Sequence, residues 1–227
     1  REVEALLDGA DGLLAGLAPG TVLVDCTSGD PASSRRIAER LAARDVAFLD
    51  APVSGGVVGA EQGTLTVMVG GDAAVLARVR PALAPFTGKL VHCGAVGAGH
   101  ALKAVNNALL AVHIWSAAEG LAALERAGVR ADLALDVINA SSGRSNASMN
   151  LFPERVVTRA FPRTFRLALL DKDVGIAAQV AREQRVPAPL LQLTAELFTL
   201  ARRELGEAAD HVEAVQLVER WAGVAIG

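Results

Sequence analysis

The first part of the chain alternates short apolar runs with segments in which apolar residues recur every three or four positions. The runs are rich in β-branched residues and end at Gly, Pro or Asp, which is typical of buried strands. Asp30-Pro31 and Asp72 are N-cap signals for two of the helices. Strands that alternate with helices predict an α/β layer with a largely parallel sheet. The pattern predicts a helical N-terminus over residues 1–17, strands over 21–26, 46–50, 65–69 and 89–93, and helices over 32–43 and 73–83.

From Gly97 onward the strand patterns are absent, and the periodicity is helical throughout. A long helix is predicted from residue 98 to about residue 127, and it connects two domains. The N-terminal α/β domain spans residues 1–96, and an all-helical domain spans residues 97–227. Further helices are predicted over 132–140, 146–158, 167–184, 187–204 and 210–222, with Pro153, Pro162 and Pro187 as breaks.

The start of the long helix carries a candidate for chemistry. His100, Lys103 and Asn107 are spaced i, i+3 and i+7 and therefore share one helix face. A lysine in the opening turns lies close to the positive end of the helix dipole, which favours the neutral amine that proton transfer needs. Only three of the 22 basic residues are lysines, and lysine, unlike arginine, can release its proton. Lys103 is therefore a candidate acid/base, with a solvated helix residue as the alternative.

Three glycines, Gly94, Gly97 and Gly99, lie between the last predicted strand and the long helix. Their order, G-x-x-G-x-G, differs from the G-x-G-x-x-G fingerprint of dinucleotide-binding folds, and only helices follow them. The favoured interpretation is that they let the backbone pass close to a bound ligand and turn into the helix. A nucleotide-binding turn is the weaker alternative.

Two polar loops follow predicted strands, at the end where open α/β sheets bind ligands. In one loop, the hydroxyl of Ser54 and the backbone N–H groups of Gly55 and Gly56 could bind a carboxylate, although an ordinary tight turn fits equally. The loop over residues 25–31 offers hydroxyls and the N–H groups of a helix N-terminus to a polar ligand. Simple capping of that helix is the alternative.

Composition limits the possible classes of protein. With 52% hydrophobic and 21% charged residues the chain is expected to be globular, and a net charge of −3 without a basic block argues against a nucleic-acid partner. No apolar run is long enough to span a bilayer and no signal peptide is evident, so no membrane partner is expected. Cys26 and Cys93 are predicted to be buried, reduced thiols in a cytoplasmic protein. No metal site is predicted, and the three charges at 171–173 are expected on a solvated helix face.

Four sequence blocks stand out along the chain: Asp25-Cys-Thr-Ser-Gly-Asp-Pro31, Leu49-Asp-Ala-Pro-Val-Ser-Gly-Gly56, Gly94-x-x-Gly-x-Gly-x-x-x-Lys103-x-x-Asn-Asn107 and Lys172-Asp173. They resemble, in the same order, the motifs of the β-hydroxyacid dehydrogenase family, the group of 3-hydroxyisobutyrate dehydrogenase and tartronate semialdehyde reductase. The helical patterns between the blocks also fit, so the resemblance covers essentially the whole chain. It implies a partial Rossmann-like sheet, the C-terminal part of a dinucleotide-binding domain, followed by an all-helical substrate and dimerisation domain.

The resemblance also implies a reaction. A hydride would move between NAD or NADP and a small 3-hydroxy acid, or the matching semialdehyde would be reduced, while the protein handles one proton. The implied roles are catalytic acid/base for Lys103, substrate binding for Asn107, binding of the substrate carboxylate for Ser54, Gly55 and Gly56, and cofactor contact for Ser28 and Lys172, which would close over the cofactor or substrate.

One feature departs from the family. Its members begin with a strand, the G-x-G-x-x-G turn, a helix and a second strand that ends in the residue selecting NAD or NADP, whereas this chain enters at a later helix. We therefore expect either that an upstream segment completes this chain or that the chain is a fragment that pairs with something else, because by itself it lacks a pyrophosphate-binding turn and its sheet has an unpaired apolar edge.

Two alternatives to a dehydrogenase are a non-catalytic scaffold that keeps the fold and an imine reductase, which resembles the same architecture. The presence of Lys103 and Asn107 argues against the scaffold, and the presence of Lys103 argues against the imine reductase. The helices over 190–205 and 211–221 have more apolar positions than a small bundle needs, so a homodimer or homotetramer through the helical domain is expected.

Overall fold

The computed structural model describes residues 2–227 and divides into two compact units, one ending at Ala104 and the other running from Val105 to Gly227. The predicted domain boundary, between residues 96 and 97, lies just before the long helix, whereas the division between the units lies inside that helix. The opening turns of the helix therefore pack with the α/β unit.

The first unit contains a five-stranded sheet of β1 (Val22–Asp25), β2 (Ala47–Asp50), β3 (Val53–Ser54), β4 (Leu65–Gly70) and β5 (Thr87–Gly94). The predicted α/β fold is confirmed. The sheet is mixed, because β1 and β2 run parallel, β4 and β5 run parallel, and β4 runs antiparallel to both β2 and β3. The strand direction reverses between β3 and β4, which are antiparallel and are connected by a short helix. Strands β4 and β5 are parallel, and the longer helix between them forms the crossover connection that parallel strands need.

The helices of this unit are α1 (Glu2–Ala5), α2 (Leu13–Gly16), α3 (Pro31–Ala42), α4 (Gly56–Glu61) and α5 (Ala73–Leu83), and α6 (Ala98–Arg126) begins in it. The predicted caps are confirmed, because Asp30 accepts hydrogen bonds from the N–H groups of Ala32 and Ser33, and Asp72 from those of Ala74 and Val75.

The N-terminus departs from the prediction. A single helix over residues 1–17 is wrong, since a turn with Gly9 at φ +93° separates α1 from α2. The elements β3 and α4 were not predicted, because two and six residues are too few to show a strand or helix pattern.

Each face of the sheet is covered by apolar packing. Leu49, Val67 and Val69 face α5 and pack with Leu76 and Leu83. The neighbouring strand residues point to the other face, because side chains alternate along a strand, and there Phe48 and Val46 pack with Leu7, Ile37 and Leu41. The strand ends are therefore held rigidly between two layers.

The second unit is helical. It contains the rest of α6, α7 (Ala131–Asn139), α8 (Leu167–Glu183), α9 (Pro189–Leu205) and α10 (Val215–Ala222), together with a π-helical segment (Ala147–Val157) and a 3₁₀ turn (His211–Ala214). No strand occurs between residues 97 and 227, as predicted, although Arg166 and Asp210 form an isolated bridge. Pro153 lies inside the π-helical segment and does not end it. The largest fully buried side chains of the unit include Ile114, Phe152, Leu170, Phe198 and Leu217.

Helix α6 is long and apolar enough, by length and composition alone, to cross a membrane, and it is the single such helix within residues 2–227. Its sequence is not an uninterrupted apolar run, because polar residues such as Lys103 and Asn107 interrupt it, and the expectation of no membrane partner stays a prediction. Of its most apolar window, 44% is buried inside the protein. Core helices of globular proteins pass the same test, because their buried face is as apolar as a membrane span.

The expected homodimer or homotetramer through the helical domain stays a prediction. Leu190 and Leu193 on α9 and Trp221 on α10 are exposed.

Candidate active site

The last residues of four strands form one continuous row across the sheet of the first unit. Asp25 at the end of β1 pairs with Asp50 at the end of β2, Asp50 pairs with Gly70 at the end of β4, and Gly70 pairs with Gly94 at the end of β5. Strands β1 and β2 reach this row from one direction, and β4 and β5 reach it from the opposite direction. The loops that follow all four strands therefore leave the sheet at this row. The carboxyl ends of the strands are where α/β sheets bind ligands.

Asp50 connects this row to helix α6. Its carboxylate is fully buried and accepts hydrogen bonds from the backbone N–H of Gly97 through Oδ1, at 2.7 Å, and of His100 through Oδ2, at 2.9 Å. These groups belong to the opening turn of the helix, so Asp50 caps it from a distant part of the sequence. The positive potential of this terminus, on which the expectation of a neutral amine at Lys103 depends, is therefore opposed by a buried negative charge.

Glycines make room for this carboxylate. A Cβ on Gly99 would lie 2.3 Å from the carbonyl oxygen of Met68 and 2.9 Å from Oδ2 of Asp50, and a Cβ on Gly70 would lie 2.5 Å from Oδ1 of Asp50. The predicted turn into the helix is confirmed, with Gly97 at φ +94°. The close approach at Gly99, however, is to the protein's own backbone, so the interpretation that this glycine admits a ligand is wrong.

Lys103 lies one turn beyond this cap on α6 and is partly buried. The predicted carboxylate-binding turn lies at the end of β3, where Ser54 is half-buried and pairs with Thr66. Gly55, at φ +137°, and Gly56, at φ +63°, are both exposed and have backbone conformations that favour glycine. No side chain caps the first turn of α4, which begins there. The turn thus exposes the backbone of two glycines beside a half-buried serine, and the carboxylate-binding role stays a prediction.

The loop after β1 contains Ser28, the predicted cofactor contact. Thr27 is exposed and Ser28 is half-buried, while the N–H of Thr27 donates to Oδ1 of Asp25 at 2.9 Å. Cys26 is exposed and Cys93 is half-buried, so the prediction of two buried thiols is wrong. Both residues lie at strand ends, where the chain leaves the sheet for the surface.

In the helical unit, Asn107 and Lys172 are linked by a carboxylate that sequence reasoning did not single out. Asp173 is 2% exposed and accepts a hydrogen bond of 2.6 Å from Nδ2 of Asn107. Its other oxygen lies 3.2 Å from Nζ of Lys172. The signal was present in the fourth block, where Asp173 follows Lys172, but a charged triplet in a helix indicates a solvated face by default.

That default is wrong for two of the three charges. Asp171 is also buried; its carboxylate accepts a hydrogen bond from Thr199 at 2.8 Å and forms an ion pair with Arg202 at 3.2 Å, both on α9. Lys172 is exposed. Consecutive helix positions point in different directions, so Asp171 and Asp173 contact different helices.

The helical unit also contains a cavity of about 410 Å³ between α6, α7 and the loop 142–148. It is lined by His113, Arg144, four serines and apolar side chains, and none of the predicted site residues lines it. Within residues 2–227, no group of three or more His, Cys, Asp or Glu side chains is arranged to hold a metal ion. The candidate site therefore consists of residues at the strand ends and on helix α6, which carries Lys103.

Comparison with known proteins identifies the family of the chain. Residues 1–94 match the NAD binding domain of 6-phosphogluconate dehydrogenase, and residues 97–218 match the NAD-binding domain of NADP-dependent 3-hydroxyisobutyrate dehydrogenase. The chain belongs to the β-hydroxyacid dehydrogenase family. It is thus an oxidoreductase of class EC 1.1.1 that uses NAD or NADP.

Three members of the family illustrate the likeness. The 2-(hydroxymethyl)glutarate dehydrogenase of Eubacterium barkeri is 36% identical over 99% of this chain and 74% of its own length. The 3-hydroxyisobutyrate dehydrogenase of Pseudomonas aeruginosa is 38% identical over 88% of this chain and 69% of its own length. The structure of Mycobacterium tuberculosis 3-hydroxyisobutyrate dehydrogenase with L-serine is 29% identical, covers 96% of this chain and 82% of that one, and has a TM-score of 0.83.

The β-hydroxyacid dehydrogenase fold implies a dinucleotide, and the first unit fits one part of it. The loop after β1 offers the hydroxyls of Thr27 and Ser28 at the row of strand ends, which suits a ribose or a nicotinamide amide. The N-terminus of α3 does not suit the pyrophosphate, because Asp30 already caps its N–H groups and its charge would repel phosphate.

Proposed function

We propose that this protein oxidises small carboxylates that carry a hydroxymethyl group on the carbon next to the carboxyl group, or reduces the matching semialdehydes, with NAD or NADP. The names of the three relatives support this class, because 2-(hydroxymethyl)glutarate, 3-hydroxyisobutyrate and L-serine share that arrangement. They differ in the remaining substituent, which is a carboxyethyl, a methyl or an amino group. The proposed class is defined by the shared part.

The observation that carries the proposal is that the row of strand ends is hydrogen-bonded to the start of helix α6, the helix that carries Lys103. Asp50 lies in that row and holds the first turn of α6 through two hydrogen bonds. Lys103 follows one turn later, so its backbone position is set by the buried core of the sheet. A group that transfers a proton must be placed within hydrogen-bond reach of the reacting atom, and a rigid helix anchored in this way provides such placement.

In this proposal Nζ of Lys103 manages the proton. The bound nicotinamide supplies hydride acceptance in oxidation and hydride donation in reduction. As the C–H bond of the alcohol breaks, neutral Lys103 takes the hydroxyl proton and becomes an ammonium group, which then releases the proton to water. In the reverse direction the ammonium donates a hydrogen bond and then the proton to the carbonyl oxygen, so atoms and charge balance both ways.

The substrate carboxylate is assigned to Ser54, Gly55 and Gly56. The hydroxyl of Ser54 and exposed backbone N–H groups can donate hydrogen bonds to a carboxylate without a full positive charge. Asn107 is assigned to substrate binding and Lys172 to cofactor or substrate contact by their places in the family motifs. Within the helical unit both are oriented by Asp173, which supports a fixed arrangement of these side chains.

The experiment measures nicotinamide reduction by the full-length encoded protein with 3-hydroxyisobutyrate, L-serine and 2-(hydroxymethyl)glutarate, each with NAD and NADP. Lactate, whose hydroxyl is on the carbon next to the carboxyl group, is the substrate control and is expected to give no turnover. Lys103→Ala should lose about 10²- to 10⁴-fold in kcat, the contribution of a positioned acid/base. Lys89→Ala, an exposed lysine on β5, is the matched variant and should keep the wild-type rate.

Lys103→Arg should be as inactive as Lys103→Ala, because arginine keeps the charge but does not release its proton. Wild-type turnover in either Lys103 variant would overturn the assignment of the acid/base. Absence of turnover with all three primary alcohols would overturn the substrate class.

A further inference from the structure

His100 is buried between the loop after β1, helix α3 and the first turn of α6, with 1% of its surface exposed. Its Nδ1 lies 2.6 Å from Oγ of Ser34 on α3, and its Nε2 lies 3.1 Å from the carbonyl oxygen of Thr27 in the loop. The backbone N–H of His100 donates to Asp50. One residue therefore contacts three separate parts of the first unit.

The hydrogen-bond partners of His100 require a proton on Nε2. A carbonyl oxygen only accepts, so Nε2 of His100 must carry a proton toward Thr27. Ser34 has one hydroxyl proton and two acceptors within reach, Nδ1 of His100 and the carbonyl oxygen of Asp30 at 3.1 Å. In the neutral ring Ser34 donates to Nδ1. In the charged ring Nδ1 donates to Ser34, which then donates to Asp30, and the carboxylate of Asp25 lies 4.0 Å away. The link to Thr27 is present in both states.

The fit between the ring and the loop is also steric. A Cβ on Gly29 would lie 2.6 Å from Cε1 and 2.9 Å from Nδ1 of His100. Such distances are impossible for a real side chain, so the loop backbone lies directly against the imidazole. Hydrogen bonding at Thr27 and contact at Gly29 enclose Ser28 between them, which fixes this residue relative to the ring.

The ring thus connects two parts of the proposed active site. Ser28 is the proposed cofactor contact, and Lys103 follows His100 by three positions on α6. Hydride and proton leave adjacent atoms of an alcohol, so a nicotinamide and a lysine must be placed together, and a misplacement of about 1 Å can cost about 10²-fold in rate.

We propose that His100 is a positioning residue that holds the cofactor-contacting loop, residues 26–29, at a fixed distance from the helix carrying Lys103. This inference rests on the proposed function for the roles of Ser28 and Lys103. The contact itself is independent of those roles, which allows the two ideas to be tested separately.

The first test compares His100→Ala with His100→Gln in the full-length protein. Alanine removes both hydrogen bonds and the ring, whereas glutamine offers one donor and one acceptor of similar reach. His100→Ala should weaken dinucleotide binding by about tenfold in calorimetry and lower kcat by about 10- to 100-fold, with little change in KM for the carboxylate substrate. His100→Gln should recover most of both losses. His113→Ala, an exposed histidine on the same helix, should match the wild type.

The second test compares the variants without substrate or cofactor and then adds the cofactor to the wild type. Cys26 adjoins Thr27 and is exposed, while Cys93 is half-buried on β5 and serves as an internal reference. Release of the loop should speed alkylation of Cys26 by iodoacetamide severalfold in His100→Ala, measured by mass spectrometry of the two peptides, and leave the rate at Cys93 unchanged. Addition of NAD or NADP should slow alkylation of Cys26 in the wild type.

A double-mutant cycle tests the contact directly. Gly29→Ala should displace the loop and mimic His100→Ala in dinucleotide affinity and Cys26 reactivity, because the new methyl group meets the ring. In the Gly29→Ala, His100→Ala double variant the clash is absent, so the two effects should be strongly non-additive. If His100→Ala alone is too unstable to purify, the cycle cannot be completed, but Gly29→Ala by itself still reports the contact through dinucleotide affinity and Cys26 reactivity.

Wild-type dinucleotide affinity and Cys26 reactivity in His100→Ala, or additive effects in the cycle, would overturn this inference while leaving the proposed function intact. Equal loss in His100→Ala and His100→Gln would also count against it, because simple disruption of packing predicts no recovery by glutamine. Conversely, an active Lys103→Ala variant would remove the proposed acid/base, but the Cys26 and cycle results would still decide whether His100 holds the loop.

Discussion

The side-chain amide of Asn107 donates a hydrogen bond of 2.6 Å to the carboxylate of Asp173, and both residues are buried. The donor fixes the orientation of the amide, so its oxygen faces away from Asp173, and there it accepts a hydrogen bond from Asn106 at 3.2 Å. Because Lys172 forms an ion pair with the other carboxylate oxygen, one buried negative charge orients two residues of the family motifs. Removing one partner of such a buried arrangement is costly.

Asn107→Asp would place two carboxylates in contact at this buried position. We expect it to lower the free energy of unfolding by about 3–5 kcal/mol at neutral pH, the cost of an uncompensated buried charge. Part of the loss should be recovered in mildly acidic solution, because one carboxyl group can then protonate and donate to the other. Urea unfolding followed by circular dichroism at two pH values measures both effects.

An exposed asparagine outside this network, Asn150, provides the control for that experiment. Asn150→Asp should change the free energy of unfolding by less than about 1 kcal/mol, since surface substitutions have small effects. Equal losses in the two variants would show that the contact with Asp173 is not what makes Asn107 sensitive.

Gly99→Ala and Gly120→Ala should have opposite effects although both glycines are in helix α6. A methyl group on Gly99 meets the carbonyl oxygen of Met68 at 2.3 Å, a backbone atom that does not move easily, whereas nothing lies within 4 Å of a methyl group on Gly120. Gly99→Ala should therefore destabilise by about 1–3 kcal/mol or more, while Gly120→Ala should stabilise by up to about 1 kcal/mol through lower chain entropy. Thermal unfolding of the two variants measures the difference, and a stable Gly99→Ala protein would contradict the packing described at the strand ends.

Asp210 should make the free energy of unfolding depend on pH in the acidic range. Burial alone would raise the pKa of this carboxyl, but hydrogen bonds from His211 and from the backbone N–H groups of Phe165 and Thr164 outweigh burial and hold the pKa well below its ordinary value. A carboxyl with a lowered folded pKa contributes stability that is complete above the unfolded pKa of about 3.9 and is lost as the pH falls from there toward the folded pKa.

Asp210→Asn should accordingly lower the free energy of unfolding by about 1–3 kcal/mol at pH 7, and its difference from the wild type should narrow as the pH falls below about 4. Denaturant unfolding across that range measures the effect. Asp136→Asn, an exposed aspartate on α7, should show no such pH dependence. If the free energies of unfolding of wild type and Asp210→Asn differed by the same amount at all pH values, the charge of the Asp210 carboxylate would not contribute to stability.

The parts of the site that could be predicted differ in kind from those that could not. The caps at Asp30 and Asp72 were predicted because each donor lies two or three residues from its acceptor. The caps made by Asp50 and the contact made by Asp173 were missed, because their partners are 47 and 66 residues away. Sequence spacing reports which residues share a helix face or a strand face, but not which distant group approaches them.

The amino-acid sequence by itself determined the order of strands and helices, the long helix with Lys103 near its start, and the family, because alternation, helical periodicity and short motifs depend on neighbouring residues. Only the tertiary structure decided that the sheet reverses direction after β3, that Gly99 packs on backbone, that Cys26 is exposed, and that His100 joins a loop to a helix. Those features are set by contacts between segments far apart in the chain. Such contacts follow from the packing of the whole core, which no local pattern encodes.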